Sequence, residues 1–137
     1  MKTIIIWSTN SLQKDYNDIM LVRTKLLKAG HTIQEDWINY RVKVKNNVPY
    51  FIQVEGYDYL KVCIDGITNS DFVIFFFSKE SNYLTTLIKY ADHHKKEIAV
   101  IYRTKKVLKH LDGIEKKNNV KLLQSRLINH IDQIIKK

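Results

Sequence analysis

One cysteine, one proline and four glycines are all that this 137-residue chain has of the residues that cross-link, kink or loosen a backbone. A lone Cys63 excludes an intramolecular disulfide, and no spaced Cys/His set builds a structural zinc site. A reducing, cytoplasmic setting is the expectation. Gly30, Gly56, Gly66 and Gly113 lie far apart, which excludes a glycine-rich phosphate loop. Long hydrophobic runs are missing too: the longest, Phe72 to Phe77, has six residues, against the roughly 18–20 that span a bilayer. No membrane partner is expected. The opening Ile4-Ile5-Ile6-Trp7 passes at once into Ser8-Thr9-Asn10 and has neither the apolar length nor the cleavage motif of a signal peptide. No repeat, low-complexity tract or Gly/Pro-rich linker divides the chain, so residues 1–137 read as one domain.

Acidic residues are also scarce. Twenty-three Lys and Arg against fourteen Asp and Glu give a formal charge of +9. The excess is uneven: residues 103–137 hold 10 of the basic residues and 3 of the acidic ones, so the charge marks a basic C-terminal segment. Its lysines, from Lys105 to Lys136 and Lys137, read as solvated faces. No recognition helix, RNA-binding sheet or zinc finger accompanies them, and nucleic acid is not expected as a partner. With 45% hydrophobic and 27% charged residues, the chain has enough apolar material to fold around a core.

Periodicity supplies the architecture. Thr3–Trp7 is a β-branched run buried on both faces, followed by an amphipathic helix over 13–29 that Ala29-Gly30 stops, and then by a short strand from His31 to Trp37. From 38 to 56 the pattern lapses into an irregular excursion, read as a small hairpin turning at Asn46-Asn47. A helix through Cys63, Ile64 and Ile67 leads to Asp71–Phe77, the most apolar strand and so the central one. A helix through Tyr83, Leu84, Leu87, Ile88 and Ala91 and a strand at Glu97–Tyr102 follow. Then come a helix from Lys105 to about Lys116, a weak strand at Val120–Leu123 and a closing helix carrying Leu127, Ile131, Ile134 and Ile135. This order predicts a doubly wound α/β three-layer sandwich with a four- or five-stranded, mainly parallel sheet.

In such a sheet ligands bind beyond the carboxyl ends of the strands, so the residues at those ends are the site candidates. They are Ser8, Thr9 and Asn10; Asp36 and Trp37; Ser78, Glu80, Ser81, Asn82 and Tyr83; and Arg103 as a phosphate contact. Taken singly, Ser, Thr, Asn and Asp after a strand also serve as helix caps and turn formers. His93-His94 lacks a third ligand at any suitable spacing, so no metal site is expected, and no cofactor is implied.

Three stretches together resemble the nucleoside 2-deoxyribosyltransferase-like group, which shares a flavodoxin-like layout with Toll/interleukin-receptor (TIR) domains. They are Ile4-Ile5-Ile6-Trp7-Ser8-Thr9, Leu27-Lys28-Ala29-Gly30-His31-Thr32 running into Glu35-Asp36-Trp37, and Asp65-Gly66-Ile67-Thr68-Asn69-Ser70-Asp71-Phe72-Val73-Ile74. The helix through Ile88-Lys89-Tyr90-Ala91 resembles the group's active-site helix. The resemblance implies a nucleoside or nucleotide ligand and cleavage or transfer at an N-glycosidic bond, with a carboxylate meeting the sugar's developing positive charge. The group's Glu position is Leu87 here, and Thr85 and Thr86 are not acids either. Glu80, then Asp36, are the substitute acids. The alternative is a catalytically degenerate TIR-like interaction module, with self-association as its use.

Overall fold

The computed structural model of the chain describes residues 1–135; Lys136 and Lys137, the last lysines of the basic segment, lie outside the described residues. Five strands form one parallel sheet: β1 (Lys2–Trp7), β2 (Thr32–Ile33), β5 (Phe72–Phe77), β6 (Glu97–Tyr102) and β7 (Val120–Gln124). Their order is β2-β1-β5-β6-β7, the flavodoxin-like arrangement, in which the chain winds one way from β1 to β2 and the other way from β5 onward. All six residues of β5 are buried, which fits a central strand covered on both faces.

Helix α1 (Leu12–Lys28) packs with the C-terminal turns, and α3 (Tyr59–Thr68) packs with α4 (Asn82–His93), giving a helical layer on each face of the sheet. The α1 terminus forms as Gly30 predicts: at φ +88° it lets His31 N–H donate to Leu26 C=O and Gly30 N–H to Leu27 C=O. Gly66 serves a different end. It faces Ile4 of β1, and a Cβ there would run into the Ile4 Cδ1, so its absence sets the spacing between α3 and the sheet.

The excursion is an antiparallel hairpin, β3 (Val42–Lys45) with β4 (Val48–Phe51), pairing Val42 with Phe51 and Lys45 with Val48. Asn46 and Asn47 have φ of +53° and +63°, the left-handed pair that a two-residue turn requires and that Asn tolerates.

Two regions differ from expectation. The strand after Gly30 is only Thr32–Ile33; Glu35 turns the chain at φ +46°, and Trp37 opens a one-turn helix, α2 (Trp37–Tyr40). The helices expected after Lys105 and at the C-terminus are 3-10 segments, Lys105–Leu111, Ile114–Lys116 and Ser125–Gln133. Asp112 at φ +53° and Gly113 at φ +93° separate the first two, and Leu127 departs from helical geometry in the third. No helix among the described residues is long and apolar enough to cross a membrane.

Candidate functional site

The winding direction reverses between β1 and β5, and a crevice of about 360 Å³ lies beyond the carboxyl end of β1. Its walls are Trp7, Ser8, Thr9 and Asn10 from the end of β1, Ser81 and Tyr83 from the start of α4, Tyr59 from α3, and Gln53. That volume falls within the range of small-molecule sites. Five of the predicted site residues, Ser8, Thr9, Asn10, Ser81 and Tyr83, are brought together there.

The hairpin explains Gln53. Ile52 N–H donates to Arg41 C=O at 2.7 Å, extending the β3–β4 ladder, and the Arg41 guanidinium stands 3.9 Å from the centre of the Tyr57 ring. Trp37 Nε1–H donates to the Tyr57 hydroxyl at 2.9 Å, and the Asp58 carboxylate accepts from Lys61 N–H to cap α3. These contacts hold the loop between β4 and α3 over the crevice. Gln53 carried no periodic signal in the sequence, and Tyr59 reads there only as part of an apolar helix face.

Behind the polar walls lies an aromatic stack. Trp37 stacks on Tyr59 with centroids 5.4 Å apart and planes 18° from parallel, and Trp7 meets Trp37 edge-on at 5.6 Å. Trp37 is buried, so it backs the wall and does not face a ligand, contrary to expectation. The Trp7 indole N–H is buried and has no hydrogen-bond partner among the described residues. Tyr83 turns its hydroxyl inward to donate to Cys63 Sγ at 3.3 Å, and Ser81 Oγ accepts from Leu84 N–H to cap α4. Burial, and then the neighbouring thiol, raise the Tyr59 and Tyr83 phenols well above their usual range.

Cys63 is pushed up to about 11 by burial, opposed by the Tyr83 hydrogen bond. A thiol that keeps its proton is a poor nucleophile. Native protein at pH 8 is therefore expected to resist Ellman's reagent, with one thiol titrating on denaturation; rapid reaction of the native chain would contradict the burial. Because the folded state holds this proton, its contribution to stability is present below the unfolded value near 9 and is lost as pH rises toward 11.

The remaining candidates lie elsewhere. Asp36 is engaged by Arg23, whose Nε and Nη2 donate to both carboxylate oxygens at 2.9 and 2.6 Å, tying the end of β2 to α1. That hydrogen bond also raises the Arg23 pKa. Ser78 donates to Asp15, and Arg103 donates to the same carboxylate at 2.9 Å and to Lys14 C=O. Arg103 thus serves as an internal clamp, its Nε and Nη2 engaged by Asp15 and Lys14. Asp15, 1% exposed, is the group that joins α1 to the ends of β5 and β6. Its neighbour Asp18 is raised by burial, against the Arg103 charge. Asn82 is exposed at the start of α4, where its carbonyl accepts from the Thr86 hydroxyl. Glu80 lies in a separate crevice on the other side of the β5 end, paired with His110 Nε2 at 3.3 Å.

Leu87 is fully buried, and no carboxylate lines the crevice among the described residues. No group of three or more His, Cys, Asp or Glu able to hold a metal occurs among them. No protein-family model matches the chain, and comparison with curated proteins finds no match either.

Proposed function

We propose that the chain is a nucleoside- or nucleotide-recognising domain that binds its ligand in the switch-point crevice and does not cleave the glycosidic bond by the carboxylate route. One observation carries this reading: the crevice at the reversal of winding presents hydroxyls, two side-chain amides and aromatic edges, and no charged side chain. Ser8, Thr9, Asn10, Gln53 and Ser81 can exchange hydrogen bonds with sugar hydroxyls and base edges, while Tyr59 and Tyr83 supply an apolar wall for a ring. The resemblance to the deoxyribosyltransferase-like group supports the ligand class. Leu87 in the core, Glu80 across the loop and Asp36 bound to Arg23 leave no acid lining the crevice among the described residues.

Nucleosides and nucleotides are expected to raise the melting temperature in a thermal-shift panel. Chromatography of the same mixtures should show no released base. Base release abolished by Glu80→Gln would overturn the non-catalytic part, and a panel without any shift would overturn the binding part.

A second reading, a protein-interaction module, is favoured by the hairpin, where Val44, Val48 and Tyr50 stand about half exposed. Concentration-dependent sedimentation combined with a flat thermal-shift panel would select it.

A further inference from the structure

Across the β5–α4 loop from the neutral crevice lies a second one of about 340 Å³, lined by Ser78, Lys79 and Glu80 on one side and by Thr104, Lys106, Lys109 and His110 on the other. Three ammonium groups share it with a single carboxylate. That carboxylate, Glu80, is held by His110, which closes the crevice between the loop and the Lys105–Leu111 segment. Lys79, Lys106 and Lys109 have no ion-pair partner among the described residues. The larger cleft at the opposite end of the sheet, about 700 Å³, is also lined by three lysines, Lys89, Lys95 and Lys117, but two of them are neutralised: Lys89 pairs with Asp112 at 3.0 Å and Lys117 with Asp92 at 2.7 Å. Three like charges against one carboxylate leave a net repulsion, and an anion seated among them offsets it.

We infer that this lysine-lined crevice receives the phosphates of the ligand whose nucleoside part occupies the neutral crevice, so that the preferred ligand is a nucleoside carrying a polyphosphate. The inference rests on the proposed function and adds the chemical class to it. The two crevices are close enough for one molecule: Ser78 lines one and Ser81 the other, and three residues of chain span at most about 11 Å. The division of labour is electrostatic. The neutral crevice has no cation to meet a phosphate, Arg103 is committed to Asp15, and lysine serves as a point-charge phosphate binder.

Titration calorimetry at low and moderate salt tests this, using adenosine, guanosine, cytidine and thymidine, each against its own 5′-triphosphate, with tripolyphosphate as a separate probe. The triphosphate of the preferred nucleoside is expected to bind at least tenfold tighter than the nucleoside, and that advantage should shrink as salt rises. The double variant Lys106→Ala/Lys109→Ala should lose most of the advantage while binding the nucleoside as before. A control that removes two positive charges elsewhere, Lys45→Ala/Lys121→Ala, should retain it. Glu80→Gln, which removes the one carboxylate among the described residues lining the crevice, should tighten triphosphate binding several-fold.

Equal affinity for nucleoside and triphosphate, or equal losses in the double variant and its control, overturns the inference and leaves the nucleoside reading standing. Binding of tripolyphosphate with no binding of any nucleoside or triphosphate above it overturns both. A single-stranded oligonucleotide that outcompetes every triphosphate overturns the inference in favour of nucleic acid.

Discussion

Arg103→Met is expected to destabilise the protein by about 3 kcal/mol, because it leaves the Asp15 carboxylate buried with Ser78 as its remaining side-chain donor. The low end of the range for a broken buried pair is appropriate, since the Arg103 side chain keeps 32% of its exposure while Asp15 keeps 1%. For a domain of this size the corresponding fall in melting temperature is roughly 10 °C. Arg103→Lys should recover only part of the loss: one ammonium cannot reproduce the pattern in which Nε and Nη2 both donate to Asp15 while Nη2 also reaches Lys14 C=O. Asp15→Leu/Arg103→Met should recover more, because it removes the buried charge together with its partner. Urea melts of the wild type, Asp15→Leu, Arg103→Met and the double variant close the cycle and measure the coupling. A midpoint unchanged in Arg103→Met would show that water reaches Asp15 and that the clamp is not what holds α1 against the ends of β5 and β6.

The second large effect is expected at Gly66. Alanine there gains about 1 kcal/mol of helix propensity but forces its methyl against the fully buried Ile4. Valine adds two further carbons at the same spot, with the χ1 restriction of a β-branched residue in a helix, and should cost about 3 kcal/mol or more. The strain can be located by a coupled change: Ile4→Val deletes the carbon that the new methyl meets, so Ile4→Val/Gly66→Ala should be more stable than the two single changes predict by addition. Strict additivity in denaturant melts would place the crowding elsewhere. The consequence reaches the crevice, because α3 begins at Tyr59 and lifting it from β1 moves that wall.

Most of the fold was legible because the strands are nearly pure. Ile4 to Trp7, Phe72 to Phe77 and Ile98 to Tyr102 have no polar residue to blur their bounds, and a two-Asn turn marks the hairpin. The single helix expected from Lys105 to about Lys116 is absent for a definable reason. Val107, Leu111 and Ile114, all buried, follow at steps of four and three, which suit a 3-10 segment with a break as well as one α-helix. The left-handed Asp112 and Gly113 that interrupt it show only in the backbone. Residues of the crevice that directly follow β1, or that lead into and begin α4, could be read from their place after a strand. Arg103 could be read in the same way, but its pairing with Asp15 could not, since the two are 88 residues apart and meet only because the strand order brings β6 beside β5. Gln53 is an exposed loop residue whose position depends on contacts made by Arg41, Trp37 and Tyr57.

The aromatic stack behind the crevice has an optical consequence. The chain has two tryptophans, and both belong to this one cluster: Trp7 lines the crevice, and Trp37 touches it through Tyr59. All indole emission of the native protein therefore originates beside the candidate binding surface, with edge-on ring contact coupling the two emitters. The protein carries its own fluorophore at the place where occupancy would change the local polarity, and needs no added label to report it.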